Sequence, residues 1–158
     1  MIEKPTNLRR QLFVFTLDDG RYALPLADVE RVARVVEITP LPKAPEIVLG
    51  VINVRGQIIP VVNVRRRFRL PERDLELNDQ LILAHTSTRA VALLADSVAG
   101  LVEISVSQVV DGEAILPSLQ YVAGVAKLPD GLILIHDLDR FLALEEQRAL
   151  EQAMSETR

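Results

Sequence analysis

The chain has 158 residues, 49% hydrophobic, 25% charged and 4% aromatic, with a formal net charge of −4 and no cysteine. That apolar content at so low a charge excludes a disordered chain, and the missing cysteines exclude disulfides, thiolate nucleophiles, Cys-ligated zinc and iron–sulfur clusters. The apolar runs are far shorter than the roughly 20 residues of a membrane-spanning helix, and Met1–Gln11 is too polar for a signal peptide; the expectation is a soluble, cytoplasmic protein.

Val and Ile supply 30 of the residues, and nine prolines and seven glycines punctuate them. β-Branched runs between turn residues predict an all-β chain of short strands. After a flexible N-terminus over residues 1–10, the first strand covers residues 12–17. Asp18-Asp19-Gly20 is a hairpin turn in which Gly20 takes positive φ, and Tyr22–Leu26 is the return strand. Val29–Ile38 is a long strand with a bend. The three prolines of residues 39–45 make a loop, which leads into one helical turn at Glu46–Leu49. Two apolar strands then flank a tight turn at Arg55-Gly56, and Pro71–Asp79 is a charged loop. The second half repeats the theme with strands at Gln80–His85, Ala90–Ala95 and Val98–Val106 and a loop over Asp111–Leu119. Its last hairpin joins Gly124–Leu128 to Leu132–His136 through Pro129-Asp130-Gly131. Residues 138–154 have helical spacing of Leu138, Phe141, Leu142, Leu144, Leu150 and Met154, with Asp137 or Asp139 as the cap.

The halves resemble each other. Gly50-Val51 matches Gly124-Val125, Gly56 matches Gly131, and Phe68 matches Phe141, at a nearly constant offset. Such spacing points to an internal duplication, and with two copies the outcome is a pair of small β-barrels about a pseudo-twofold axis. The lobes are expected over residues 12–79 and 80–137, with strands able to exchange between them.

Candidate chemistry is sparse. The histidines are His85 and His136. His136-Asp137 could orient an imidazole for base catalysis, but the preferred reading is a strand-end histidine bonded to a neighbouring loop. Asp28 and Asp96 form the symmetric carboxylate pair, each at a turn where Asp commonly bonds its own backbone. No metal-ligand motif and no phosphate-cradling glycine pattern occurs. The Arg65-Arg66-Arg67 cluster with Arg69 reads as a solvated face paired with Glu72, Asp74 and Glu76, because the chain is acidic (pI about 5.2) and lacks stacking aromatics there. No catalytic, cofactor or metal residue is assigned, and no nucleic-acid partner. What stands out is Asn53-Val54-Arg55-Gly56. Gly56 suits a tight turn, Asn53 can bond the turn backbone and hold its shape, and Arg55 carries a five-donor fork suited to carbonyl or carboxylate recognition. Arg55 can equally be an ordinary exposed turn residue.

The stretch Gly50-Val51-Ile52-Asn53-Val54-Arg55-Gly56-Gln57-Ile58-Ile59-Pro60-Val61-Val62-Asn63-Val64-Arg65 resembles the signature G-v-x-N-l-R-G-x-i-x-P-v-x-D-l-R of the CheW-like chemotaxis adaptor (coupling) protein family. The likeness extends over residues 11–145 and includes Phe13–Leu17, Tyr22–Leu26 with Val29, Val91–Val98, Tyr121–Val125, and Leu132–Ile135 with Asp137-Leu138. It implies two SH3-like five-stranded β-barrels in pseudo-twofold arrangement with a C-terminal α-helix. It further implies a non-enzymatic adaptor without cofactors, placed in the cytoplasm at receptor arrays beneath the inner membrane. Such an adaptor joins the cytoplasmic tip of a methyl-accepting chemoreceptor to the regulatory domain of a CheA-type histidine kinase, and other CheW-like domains are further partners. The family's receptor-contacting valine falls on Val29 and its signature arginine on Arg55, with Asn53 and Gly56 shaping that turn. The partner-binding set is thus Val29, Arg31, Val32, Asn53, Arg55 and Gly56, with residues 41–48 as an added apolar edge. Two positions depart from the family pattern. Arg31 stands where an acid is usual, and Asn63 replaces the signature's aspartate. Reversed charge at a contact implies a compensating partner, or a scaffold in a non-motility pathway such as surface sensing, pili or development.

Overall fold

The computed structural model describes residues 8–111 and 122–156. In chain order the first strands are β1 (Arg9–Leu17), β2 (Gly20–Pro25), β3 (Val29–Arg34), β4 (Val48–Val54) and β5 (Gln57–Val62), and then comes helix α1 (Val64–Arg67). There follow β6 (Gln80–His85), β7 (Ala90–Ala95), β8 (Ser97–Ser105), β9 (Val109–Asp111), β10 (Val122–Leu128), β11 (Gly131–His136) and helix α2 (Leu144–Glu156). Among the described residues, no helix is long and apolar enough to cross a membrane.

The chain forms two compact units. Unit 1 takes Met1–Val29 with Ser97–Phe141, and unit 2 takes Glu30–Asp96 with Leu142–Arg158. The lobes expected over residues 12–79 and 80–137 allow an exchange of strands, and each unit does draw on both halves. The reason is strand pairing: β1 and β2 of the first half share a sheet with β8 to β11 of the second.

In unit 1 the strand order is β8-β1-β2-β11-β10-β9, and in unit 2 it is β3-β6-β7-β5-β4. Every pair with a defined register is antiparallel but one in each unit. β11 runs parallel to β2 (Leu134 opposite Tyr22), and β5 runs parallel to β7 (Val61 opposite Ala92). The orders superimpose element for element, with β8, β1, β2, β11 and β10 answering to β3, β6, β7, β5 and β4. The sixth strand of unit 1, the three-residue β9, answers in unit 2 to the single bridge between Thr39 and Val51. Each barrel thus repeats one plan, as the duplicated glycines suggest.

Those glycines have a steric duty. Gly50 and Gly124 each sit at a register shift in their hairpins. A Cβ on Gly50 would lie 2.3 Å from the Thr39 carbonyl oxygen, and one on Gly124 would lie 2.8 Å from a Val109 methyl. Only a residue without a side chain lets the closing strand approach. Gly50→Ala is expected to destabilise the protein by roughly 3 kcal/mol, the upper end for overpacking, because the clash is with backbone. Chemical denaturation checks this, and a loss below about 0.5 kcal/mol, the range of an ordinary surface substitution, would show that the bridge can shift.

Burial follows the sequence pattern. β1 is an interior strand of its sheet and is apolar on both faces. Leu12 and Val14 pack with Ala23, Ile104, Ala126, Ile133 and Ile135, while Phe13, Phe15 and Leu17 are buried on the other side. β8, at the sheet edge, alternates exposed and half-buried residues as a one-sided strand should. The core of unit 2 is Ile52, Ile59, Val61, Leu81, Leu83 and Ala92.

Several local expectations are revised. In the first hairpin Asp18, not Gly20, takes positive φ (52°), because Leu17 pairs with Gly20 and leaves Asp18-Asp19 as the loop. The bent strand ends at Arg34, and Glu46-Ile47 is a turn directly before β4 rather than a helical turn. The helix expected over residues 138–154 starts at Leu144. The Asp137 carboxylate accepts from the Asp139 N–H (3.1 Å) and so closes a separate 3-10 turn over Leu138–Arg140. The real start is fixed by Glu146, whose Oε1 accepts from the Ala143 N–H (2.8 Å), half of a capping box. Of the N-terminal residues 1–10, residues 1–7 lie outside the described residues, while Arg9 and Arg10 already belong to β1. Of the loop expected over Asp111–Leu119, Asp111 ends β9 and the remainder lies outside the described residues.

Candidate functional site

The β4–β5 hairpin closes on the pair Val54–Gln57, which leaves Arg55-Gly56 as a two-residue loop. Both residues have positive φ, 52° and 86°, the type I′ pattern that matches strand twist. Gly adopts it freely, whereas Arg does so at a cost, so the turn needs a clamp. Asn53 supplies it, its Oδ1 accepting from the Gly56 N–H at 2.8 Å. Arg55 is exposed at the tip and makes no hydrogen bond or ion pair among the described residues. The expectation for Asn53 and Gly56 therefore holds in geometric terms, and Arg55 presents an uncommitted guanidinium.

The other candidates lie on β3. Val29 follows a 3-10 turn over Leu26–Asp28 and is half-buried, as is Val32, while Arg31 is exposed and unpaired among the described residues. Glu30 is committed to His85 on the neighbouring β6, at 2.9 Å. β3 and β4 stand at opposite ends of the strand order in unit 2, so the ladder does not join Arg31 and Val32 to the Asn53–Gly56 turn. Within 41–48, Leu41, Ile47 and Val48 are buried, so that apolar edge is mostly core.

The arginine cluster is a solvated face only in part: Arg66 and Arg69 are exposed, while Arg65 and Arg67 are tied into the fold. Arg65 is 6% exposed, donating to the Pro71 carbonyl (2.8 Å) and to Asp96 Oδ2 (2.7 Å). Arg73 donates to both oxygens of Asp79 (3.0 and 2.5 Å) and to Asp96 Oδ1 (2.5 Å). Asp79, 2% exposed, also accepts from the Glu76 N–H at 2.8 Å. These bonds hold the Arg73 guanidinium proton more firmly than usual, those to Asp79 above all. Arg66 pairs with Glu72 as expected, but Arg67 pairs with Glu146 of α2. The sequence concealed this network because its carboxylates, Asp79 and Asp96, come from the far end of a loop and from the end of β7. Asn63 is buried just before α1, its N–H donating to the Ile47 carbonyl (2.8 Å).

His136 is 1% exposed and ringed by Phe15, Tyr22 and Phe141, with centroids 5.5–5.8 Å away. Burial pushes its pKa down to about 3, and Asp137 is occupied by the Asp139 N–H and by Arg140 at 3.4 Å. This is a neutral core imidazole, closed to any substrate. Asp28 has a raised pKa, from burial first and then from the nearby Asp139 and Asp137. Among the described residues, no group of three His, Asp or Glu is placed to hold a metal ion.

A feature that sequence reasoning missed flanks the turn. A groove beside Gly56 is lined by Gln57, Ile58, Pro60, Arg89, Ala90 and Met154. Arg89 is tied to Glu151 of α2 at 2.6 Å, which fixes the helix as one wall.

Comparison with known proteins adds the following. Residues 11–146 match the family model described as CheW-like domain. The chain is 28% identical to the chemotaxis protein CheW of Rhizobium meliloti, over 91% of this chain and 94% of the relative. It is 30% identical to the chemotaxis protein CheW of Thermotoga maritima, over 84% and 87%. The scaffolding protein TtCheW of Thermoanaerobacter tengcongensis superimposes with a TM-score of 0.80 at 28% identity, covering 88% of this chain and 96% of that one.

Proposed function

Because the chain belongs to the CheW-like domain family, we propose that it acts without catalysis, as an adaptor coupling the cytoplasmic tip of a chemoreceptor to the regulatory domain of a CheA-type histidine kinase. Its place would be the cytoplasmic array beneath the membrane. The single observation that carries this reading is the turn at Asn53–Gly56. It holds an arginine in a left-handed conformation, clamped by a side-chain bond, at the tip of a hairpin. Positive φ alone is shared by Asp18, Lys43 and Arg69; what sets this turn apart is the bond from the Gly56 N–H to Asn53, which fixes the two-residue loop that carries the guanidinium. Val29, Arg31 and Val32 on β3 would supply a second contact. Arg31 would meet an acidic counterpart, since Glu30 is already paired with His85.

Titration of the chain against a receptor-tip hairpin fragment and a kinase regulatory fragment tests the proposal. Both should bind weakly, as small signalling contacts do, with strength coming from repetition in an array. Arg55→Ala should weaken receptor binding by about 1.5–3 kcal/mol, the worth of a charge-assisted hydrogen bond, and leave the fold intact. Equal affinity in a folded Arg55→Ala variant would remove Arg55 from the site, and failure of the unaltered chain to bind either fragment would remove the adaptor reading.

A further inference from the structure

The loop between α1 and β6 has no regular structure, yet it is fixed at several points. The Arg65 guanidinium holds the Pro71 carbonyl, Arg73 bridges Asp79 and Asp96, and Asp79 holds the Glu76 N–H. Between these anchors the chain exposes two leucines, Leu75 at 49% and Leu77 at 93%. Burying Asp79 and Arg65 carries a desolvation penalty, and the loop they anchor holds two apolar side chains toward water. Ordering such a segment beforehand removes an entropic cost from binding. Of the two acids at its tip, Asp74 is uncommitted and Glu76 only weakly paired. The Asp74 carboxylate has no partner among the described residues, and Glu76 lies 4.0 Å from an Arg73 already shared between two aspartates.

A surface of opposite character exists on the same unit. In the groove beside the β4–β5 turn, Ile58 is 44% exposed, Pro60, Ala90 and Met154 add apolar lining, and the unpaired Arg55 stands next to Gly56 at the edge. Apolar knobs flanked by one unpaired and one weakly paired acid thus find an apolar groove flanked by an unpaired base. We propose that the 71–78 loop of one copy of this chain docks in that groove of a second copy, Leu75 and Leu77 on the apolar lining and Asp74 and Glu76 toward Arg55. The contact and the proposed receptor site share Arg55, so the two would compete, and self-association is therefore measured with no receptor or kinase fragment present.

The test is sedimentation equilibrium of the full chain from about 10 μM to about 1 mM at low salt, the span of weak protein contacts. The average mass should rise above the 17.6 kDa monomer and fall back as salt screens the Asp74, Glu76 and Arg55 charges. Leu77→Asp and Arg55→Glu, both on exposed side chains, should each raise the dissociation constant at least about tenfold. An equimolar mixture of the two variants should associate again, because it reunites an intact loop with an intact groove. A monomer across the whole range overturns the proposal. So does self-association that survives Leu77→Asp, or a mixture that stays monomeric.

Discussion

Asp79→Ala is expected to destabilise the protein by about 3–5 kcal/mol, the range for breaking one side of a buried ion pair. Asp79 is all but inaccessible, and it accepts from both terminal nitrogens of Arg73 and from the Glu76 N–H. Its removal leaves the Arg73 guanidinium sharing Asp96 with Arg65, and frees the turn in which the Asp79 N–H bonds the Glu76 carbonyl at 3.0 Å. The double variant Arg73→Met with Asp79→Leu should recover much of the loss, because it removes both charges and leaves Asp96 its bond to Arg65. Urea denaturation of the three proteins measures this. A loss under about 1 kcal/mol in Asp79→Ala would place the pair among ordinary surface bridges. Limited proteolysis gives a second readout, since cleavage between Pro71 and Asn78 should speed up in Asp79→Ala if the network fixes that loop.

What the residue order disclosed, and what it hid, follows from the range of the forces involved. Turn chemistry is local, so Asn53, Arg55 and Gly56 could be read together, and the bond from Gly56 to Asn53 spans three residues. Gly50 and Gly124 were legible as repeats because both copies meet the same steric demand at the bridge. Exchange of strands between the halves was an open possibility in the sequence, but which strands exchange was not legible there. It depends on β2 lying parallel to β11 and β5 parallel to β7, pairings between distant segments that carry no turn signal. The start of α2 was misplaced for a related reason. Leu138 and Phe141 are buried and fit helical spacing, but they belong to the 3-10 turn that Asp137 caps and to its end. Arg65 looked like one solvated arginine among several, and only the fold brings Asp96 to it. His136 ended a strand in the sequence, and only the fold surrounds it with three aromatic rings.

That surrounding makes His136 the source of an acid sensitivity. Its pKa lies near 3 when folded and near 6.5 when the chain is open to water. Below pH 6.5 the unfolded chain therefore binds a proton that the folded chain refuses, and stability must fall. The contribution is fully present above pH 6.5, shrinks by about 1.4 kcal/mol per pH unit on acidification, and levels off near pH 3. Between pH 7 and 5 the loss from this residue alone should be about 2 kcal/mol, and by pH 3 about 4 kcal/mol. Asp28 works the other way. Its raised pKa lets the folded state take up a proton before the unfolded state does, which offsets part of the loss as pH enters the carboxylate range. A comparison of the wild type with His136→Leu separates the two effects, since both proteins keep Asp28 and every other carboxylate. His136→Leu can lose stability at pH 7 through altered packing among Phe15, Tyr22 and Phe141, but its stability should vary less between pH 7 and 5, by that same 2 kcal/mol or so. Parallel stability curves for the two proteins over this interval would mean that water or a proton reaches His136 in the folded state, and with it that the aromatic enclosure opens.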